Sequence, residues 1–217
     1  NHDNKFVVFL VDFLSINTKV FDIYKRINKP KLLVISKCDL ILKNIRREKI
    51  ISFIKNYYQI KEDIKLISSL NNYGVEALTD YLEDREIDYI YFVGLTNSGK
   101  SSLINKLIEL NDTVLNQLTT SYIPNTTLDF IRIKIKDNLT VIDSPGFIID
   151  TIQDDLILKK YNLKVCLKPK TFQMKTGETL EIENMYFNFS DDTSVTLYMA
   201  NDLRVRKYYK PVTYEYR

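Results

Sequence analysis

YFVGLTNSGKSS, running from Tyr91 to Ser102, carries the pattern G-x-x-x-x-G-K-S/T with Gly94, Gly99, Lys100 and Ser101 in register. Two glycines let a backbone turn tightly and aim its N–H groups inward. Together with the N-terminus of the next helix, such groups cradle anionic phosphates. Leu95, Thr96, Asn97, Ser98 and Ser102 complete the expected loop. Lys100 can reach terminal phosphates, and the Ser101 hydroxyl can hold a magnesium ion. The flanks agree with this reading. IDYIYFV (87–93) is apolar and β-rich, and SSLINKLIEL (101–110) has helical spacing. The competing reading is a chance glycine-rich turn. Only 5 glycines occur in 217 residues, so two at the required positions weigh more.

In an ordinary P-loop protein this motif follows the first strand. Here a series of strand and helix signals precedes it. KFVVFLVD (5–12) is a near-continuous apolar run, as expected of a strand buried on both faces of a parallel sheet. TKVFDIYKRI (18–27) has helical character, and KPKLLVISKCDL (29–40) reads as a strand ending in polar residues, where a parallel sheet places its site. RREKIISFIKNYY (46–58) predicts a surface helix, DIKLISSL (63–70) a strand and GVEALTDYLE (74–83) a helix. The βα repetition predicts an α/β fold with a doubly wound, mostly parallel sheet.

Downstream of the loop, NQLTTSYIPNTTLDF (116–130) is polar and irregular. IRIKI (131–135) and LTVID (139–143) predict two adjacent strands joined near Asp137 and Asn138. Helical signals fade after Tyr161. The runs MYFNFS (185–190) and SVTLYMA (194–200), with KTGE (175–178) and SDDT (190–193) as separators, predict a small β-rich module. The expected domains are residues 1–158 and 159–217.

Composition bounds the possibilities. Apolar residues are 45% and charged residues 27%, a globular balance, and a net charge of +3 does not by itself imply a nucleic-acid partner. Cys38 and Cys166 are the two cysteines, and neither belongs to a C-x-x-C pair. That argues against a metal knuckle or disulfide framework and fits a reducing compartment. No apolar stretch approaches membrane-spanning length and no signal-peptide pattern opens the chain, so the expectation is a cytoplasmic protein with no membrane partner.

Three further elements suit a nucleotide. DSPG (143–146) ends an apolar strand: Asp143 can bind magnesium through water, and the Gly146 N–H can sense a terminal phosphate. Its alternative is a Pro-Gly turn. Thr126 and Thr127 lie in IPNTTLD, where a threonine can give its hydroxyl to magnesium and its N–H to a γ-phosphate; Thr127 is preferred as the metal-facing one. In ISKCDL, Asp39 can accept from both the ring N–H and the amine of guanine, a pairing adenine cannot make. The Lys37 stem can cover the base plane, and Ser68 and Ser69 can support the guanine oxygen through backbone N–H groups. Each of these strand ends alone could be an ordinary turn.

With these residues in place, the chain resembles a circularly permuted GTPase, in which the base-reading elements precede the P-loop. Ser36, Lys37 and Asp39 of SKCD match the family's N-K-x-D, and Ser68-Ser69 its S-A. GLTNSGKS, IPNTT and DSPG match the other three elements in family order. The resemblance covers roughly Phe6 to Asp150. Within that class the chain most resembles the YqeH-type GTPases, which take part in small ribosomal subunit assembly. LTTSYIPNTTLDFIRI (118–133) is close to that group's LTTS…PGTTLD, and LKPKTFQMKTGETLEIENMYFNF (167–189) resembles its C-terminal β-rich domain. The group's treble-clef zinc module has no counterpart in these 217 residues, so a chain lacking that module or a reduced member is expected.

The resemblance implies GTP and GDP as ligands, magnesium as cofactor, slow hydrolysis, and ribosomal RNA and a small-subunit precursor as partners. Three departures matter. Ser36 replaces an asparagine and has shorter reach. Asn125 replaces the glycine of PGTT, and Asn tolerates a left-handed backbone well. Ser69 replaces an alanine. Catalysis lacks an obvious water-positioning side chain: Phe147 and Ile148 follow DSPG where Ras-like enzymes carry Gln. Asn97 matches an asparagine that in related GTPases helps bind potassium, a cation able to supply charge near the phosphates. The expected catalytic set is therefore Asn97, Lys100, Thr127 and Gly146. Two basic runs suit RNA. One holds Lys159, Lys160, Lys164, Lys168 and Lys170; the other interleaves Arg204, Arg206, Lys207 and Lys210 with Tyr208 and Tyr209. A solvated charged face is the alternative.

Overall fold

All seven residues of strand β1 (Phe6–Asp12) are buried, and the strand pairs in parallel with β2 (Lys31–Ser36) on one side and β4 (Tyr89–Gly94) on the other. A strand enclosed on both edges and both faces has no use for alternation, which is why FVVFLVD is apolar nearly throughout. The structure, a computed structural model, describes residues 5–110, 131–136, 139–147, 169–183, 185–199 and 203–212. Its chain divides into two compact units, Asn1–Ile149 and Asp150–Arg217. The expected domain limit at 158/159 lies outside the described residues.

In the first unit the sheet order is β3-β2-β1-β4-β6-β5, with β3 spanning Ile64–Leu66, β5 Ile131–Lys136 and β6 Leu139–Asp143. Every neighbouring pair is parallel except β5 with β6, which run antiparallel from Ile131 opposite Asp143 to Lys136 opposite Leu139. The hairpin expected of IRIKI and LTVID is therefore formed; Asp137 and Asn138 lie outside the described residues.

Alternate residues of β1 serve opposite layers. Val8 and Leu10 join Leu32, Val34, Ile90 and Phe92 beneath helices α3 (Val75–Glu83) and α4 (Lys100–Leu110). Phe9 and Val11 join Leu33 and Ile35 beneath α1 (Thr18–Lys25) and α2 (Arg47–Tyr58). This period-two division makes the unit doubly wound. Truncating a fully buried ring such as Phe9 to alanine costs about 3–5 kcal/mol in such a layer.

Strand β3 is shorter than DIKLISSL led one to expect. After Leu66 the Ile67 N–H still donates to the Ile35 carbonyl at 2.8 Å, but the Ser68 N–H turns to the Tyr73 carbonyl at 2.9 Å. That local turn takes the hydrogen bonds a longer strand would use.

The second unit is antiparallel. Strands β7 (Lys170–Met174) and β10 (Thr193–Leu197) pair with each other, and β8 (Thr179–Ile182) lies between β9 (Met185–Asn188) and β11 (Val205–Tyr208). The KTGE segment is a turn with Gly177 at φ +80°. Glu178 there accepts from the Lys175 N–H and from the Lys207 ammonium, both at 2.7 Å. Among the described residues, no helix is long and apolar enough to cross a membrane.

Candidate functional site

Five strand ends converge on the carboxyl edge of the parallel sheet, where open α/β sheets hold their ligands. The end of β4 becomes the loop Gly94–Gly99, and Lys100 opens α4. Gly94 is required by contact: a Cβ there would stand 2.2 Å from the Leu10 carbonyl oxygen of the adjacent strand. Gly99 adopts φ +88°, and Asn97 takes the left-handed region at φ +61°, which asparagine tolerates. The side chains of Thr96, Asn97, Ser101 and Ser102 are exposed, whereas Ser98 and Lys100 are buried.

The Lys100 ammonium donates to the Gly94 and Leu95 carbonyls at 3.3 and 3.4 Å. Burial lowers its pKa, and the nearby Asp143 carboxylate only partly opposes this. Asp143, at the end of β6, is pushed upward by burial, with Lys100 opposing. Both groups are held away from their comfortable charged states, as expected where a polyanion and a cation would complete the field. The Asp143 Oδ1 is buried without a hydrogen-bond partner among the described residues, and so is the Ser98 Oγ.

Gly146 lies directly over the loop. A Cβ on it would come within 3.0 Å of both Lys100 Nζ and Thr96 Cα. The segment is docked by backbone bonds: the Thr96 N–H donates to the Phe147 carbonyl at 3.0 Å and the Phe147 N–H to the Gly94 carbonyl at 3.2 Å. Ser144 anchors the other end through its hydroxyl to the Phe92 carbonyl at 2.7 Å. The Phe147 ring packs against the core layer, 6.0 Å from Phe9.

The upstream strands supply the other half. Ser36, buried at the end of β2, donates its hydroxyl to the Ser98 carbonyl at 2.5 Å. This bond ties the SKCD segment to the phosphate-loop candidate. Lys37 follows with φ +58°, a left-handed backbone that costs a lysine on the order of 1–2 kcal/mol. The Asp39 carboxylate is oriented by the Ser68 hydroxyl at 2.6 Å. Between them the Cys38 N–H donates to the Ile67 carbonyl at 3.0 Å. Ser69, half buried, follows Ser68. Thr126 and Thr127 lie outside the described residues.

Sequence reasoning missed Asp12. It is buried at the end of β1, accepts from the Leu14 N–H at 3.1 Å and the Ser15 hydroxyl at 2.6 Å, and stands 3.9 Å from Lys37 Nζ. The available signal was an acid closing an apolar strand, the same signal that singled out Asp143. In the second unit, part of the expected basic run is engaged. Lys207 pairs with Glu178 and the Tyr208 hydroxyl donates to Glu181, while Arg204, Arg206, Tyr209 and Lys210 are exposed.

A parallel sheet with a phosphate-type loop at the head of a helix, an acid-ended neighbouring strand and a carboxylate at a third strand end is the arrangement of P-loop GTPases. Residues 89–200 match the family described as 50S ribosome-binding GTPase, and the chain belongs to that family. It is similar to the uncharacterized protein YqeH of Bacillus subtilis, 32% identical over 93% of this chain and 59% of that protein. It is also similar to the small ribosomal subunit biogenesis GTPase RsgA of Bacillus velezensis, 30% identical over 54% of this chain and 38% of that one. The chain thus spans less than two thirds of either relative. Among solved structures, YjeQ from Thermotoga maritima superposes with a TM-score of 0.46 at 24% identity, covering 69% of this chain and 50% of that chain.

Proposed function

We propose that the chain is a circularly permuted, slow GTPase whose GTP and GDP forms switch a step in assembly of the small ribosomal subunit. The observation that carries this reading is the Ser36 to Ser98 hydrogen bond. It joins the candidate base-reading strand end to the candidate phosphate loop, although the first precedes the second by 62 residues. The strand order β3-β2-β1-β4-β6-β5 supports the permutation, because the elements before the loop in sequence still flank it in space.

In this reading Asp39, held by Ser68, accepts from guanine, with the stem of Lys37 over the base and Ser69 beside it. Backbone N–H groups of Asn97 and of Gly99 through Ser102 face the phosphates, those of Thr96 and Ser98 being held by the Phe147 and Leu95 carbonyls, and Lys100 reaches the terminal ones. The residues fit magnesium: the unpartnered Asp143 Oδ1 and the exposed Ser101 hydroxyl would hold it, with Thr127, and it would neutralise developing phosphate charge. Asn97 would hold potassium beside the same phosphates. The Gly146 N–H reports the terminal phosphate. Phe147 faces the core and positions no water, so turnover is slow until an added cation or RNA orders the Thr126–Thr127 segment. Cys38 as a buried free thiol accords with a cytoplasmic setting.

Phosphate release in matched potassium and sodium buffers, with small- and large-subunit particles as separate additions, tests this. Stimulation by potassium that Asn97→Ala removes, and by small-subunit particles, is the expected result. Stimulation by large-subunit particles alone would move the switch to the other subunit, in line with the family's description. A second reading, a nucleotide-regulated RNA scaffold with negligible hydrolysis, is favoured by the inward Phe147 ring, and it prevails if neither salt nor particles raise turnover.

A further inference from the structure

We propose that the outward stripe of α2 is a stacking platform for single-stranded RNA. Phe53 and Tyr57 are large aromatic residues yet 57% and 66% exposed. Their rings are stacked, 5.3 Å apart and 14° from parallel, so they form one ordered aromatic pair on the solvent side that a base can extend. Tyr58 braces it edge-on against Tyr57 at 4.8 Å while its other side packs on Phe21. The platform is therefore held rigid from the core before any ligand arrives.

The charges around it are mostly of one sign. Lys49, Phe53 and Tyr57 recur every fourth residue and share a helical stripe, and Arg46, seven residues before Phe53, caps it. Residues 43–59 hold Lys43, Arg46, Arg47, Lys49 and Lys55 against Glu48 alone. Lys43, Arg46 and Lys49 are exposed, and so are Ile45, Glu48 and the polar Asn44, Ser52, Asn56 and Gln59. Ile45, 39% exposed at the N-terminal end, is the one aliphatic side chain among the exposed residues of 43–59. Exposed π-faces flanked by cations in clear excess over acids match splayed bases joined by phosphates. A duplex hides its base faces, so the partner is single-stranded.

This inference rests on the RNA half of the proposed function, and its test separates the two. The chain contains no tryptophan, so Tyr57→Trp gives a lone reporter at the platform. With the full chain, short oligouridine and oligoadenosine should quench the introduced indole, saturating at the concentration that saturates anisotropy of labelled RNA. An RNA duplex of equal length should not quench. Phe53→Ala with Tyr57→Ala should weaken oligonucleotide binding by about tenfold or more, and Lys49→Gln should lower the salt slope by roughly one counterion. RNA binding by the unmodified chain that is not accompanied by quenching in the Tyr57→Trp variant, and is unchanged in the double variant, would overturn the α2 site alone and leave the face to a protein partner. Equal quenching by the duplex would overturn it too. No RNA binding by the unmodified chain would overturn both this site and the RNA half of the proposed function.

Discussion

The Ser36 hydroxyl donates to the Ser98 carbonyl oxygen at 2.5 Å, inside a layer that water does not reach. A serine at this position keeps the tether between strand end and loop but commits its one proton to the protein. A carboxamide has two donors and an acceptor, so it could hold the loop and still face a base. The departure from N-K-x-D therefore preserves architecture more than base contact.

Ser36→Ala should leave a buried carbonyl unpaired and cost about 1–3 kcal/mol of stability, with a lower Tm and weaker GDP binding. Ser36→Asn should retain the fold and tighten guanine nucleotides by up to roughly tenfold, the value of one added hydrogen bond. Thermal melts and calorimetry with GDP check both; an Asn variant that binds GDP no better would remove Ser36 from base contact.

Asp39→Asn should turn a two-fold acceptor into a mixed donor and acceptor. Preference should move from GDP toward xanthosine diphosphate, with Ser68 still able to donate to the amide oxygen. Competition calorimetry measures the shift. Equal binding of ATP and GTP by the unmodified chain would sink the assignment.

Asp143→Asn should raise stability without ligand and remove the benefit of magnesium. The folded-state pKa of Asp143 is raised by burial even with Lys100 opposing. Its ionised form is therefore disfavoured by folding, and that cost is fully present at neutral pH. As pH falls through the raised folded value toward the ordinary 3.8, the cost fades and the two proteins should converge. Melting curves across pH, with fluorescent-nucleotide titrations with and without magnesium, give both readouts.

Cys38 should resist alkylation in the native protein. Its thiol is 1% exposed, donates to the Ile35 carbonyl at 3.2 Å, and is pushed up to about 12 by burial. At pH 8 only about one molecule in ten thousand would carry the thiolate. Peptide mass spectrometry after iodoacetamide treatment, with and without denaturant, should show modification only when unfolded.

Much of this was legible because it depends on local pattern. The continuous apolar run FVVFLVD announces an enclosed strand, and the spacing from Gly94 to Ser101 announces the loop. Pairings across the sheet were not legible. That Ser36 spends its hydroxyl on Ser98, that Asp12 stands beside Lys37, and that Phe147 turns toward Phe9 all depend on neighbours far away in sequence. The early end of β3 was missed because the turn from Ser68 to Tyr73 competes through backbone groups, which no side-chain pattern records.

The place of β1 has a consequence during synthesis. Strands β1 to β3 leave the ribosome before β4, yet one edge of β1 is closed only by Tyr89–Gly94. Until then a nascent chain carries an open, apolar strand edge of the kind that recruits other strands. The segment that seals this edge is also the one that carries the loop from Gly94 to Ser101. Translation through that stretch therefore seals the edge against aggregation and delivers the phosphate loop in one event, ahead of Asp143 and Gly146, and a polypeptide released before it would expose its apolar edge as well as lack its ligand site.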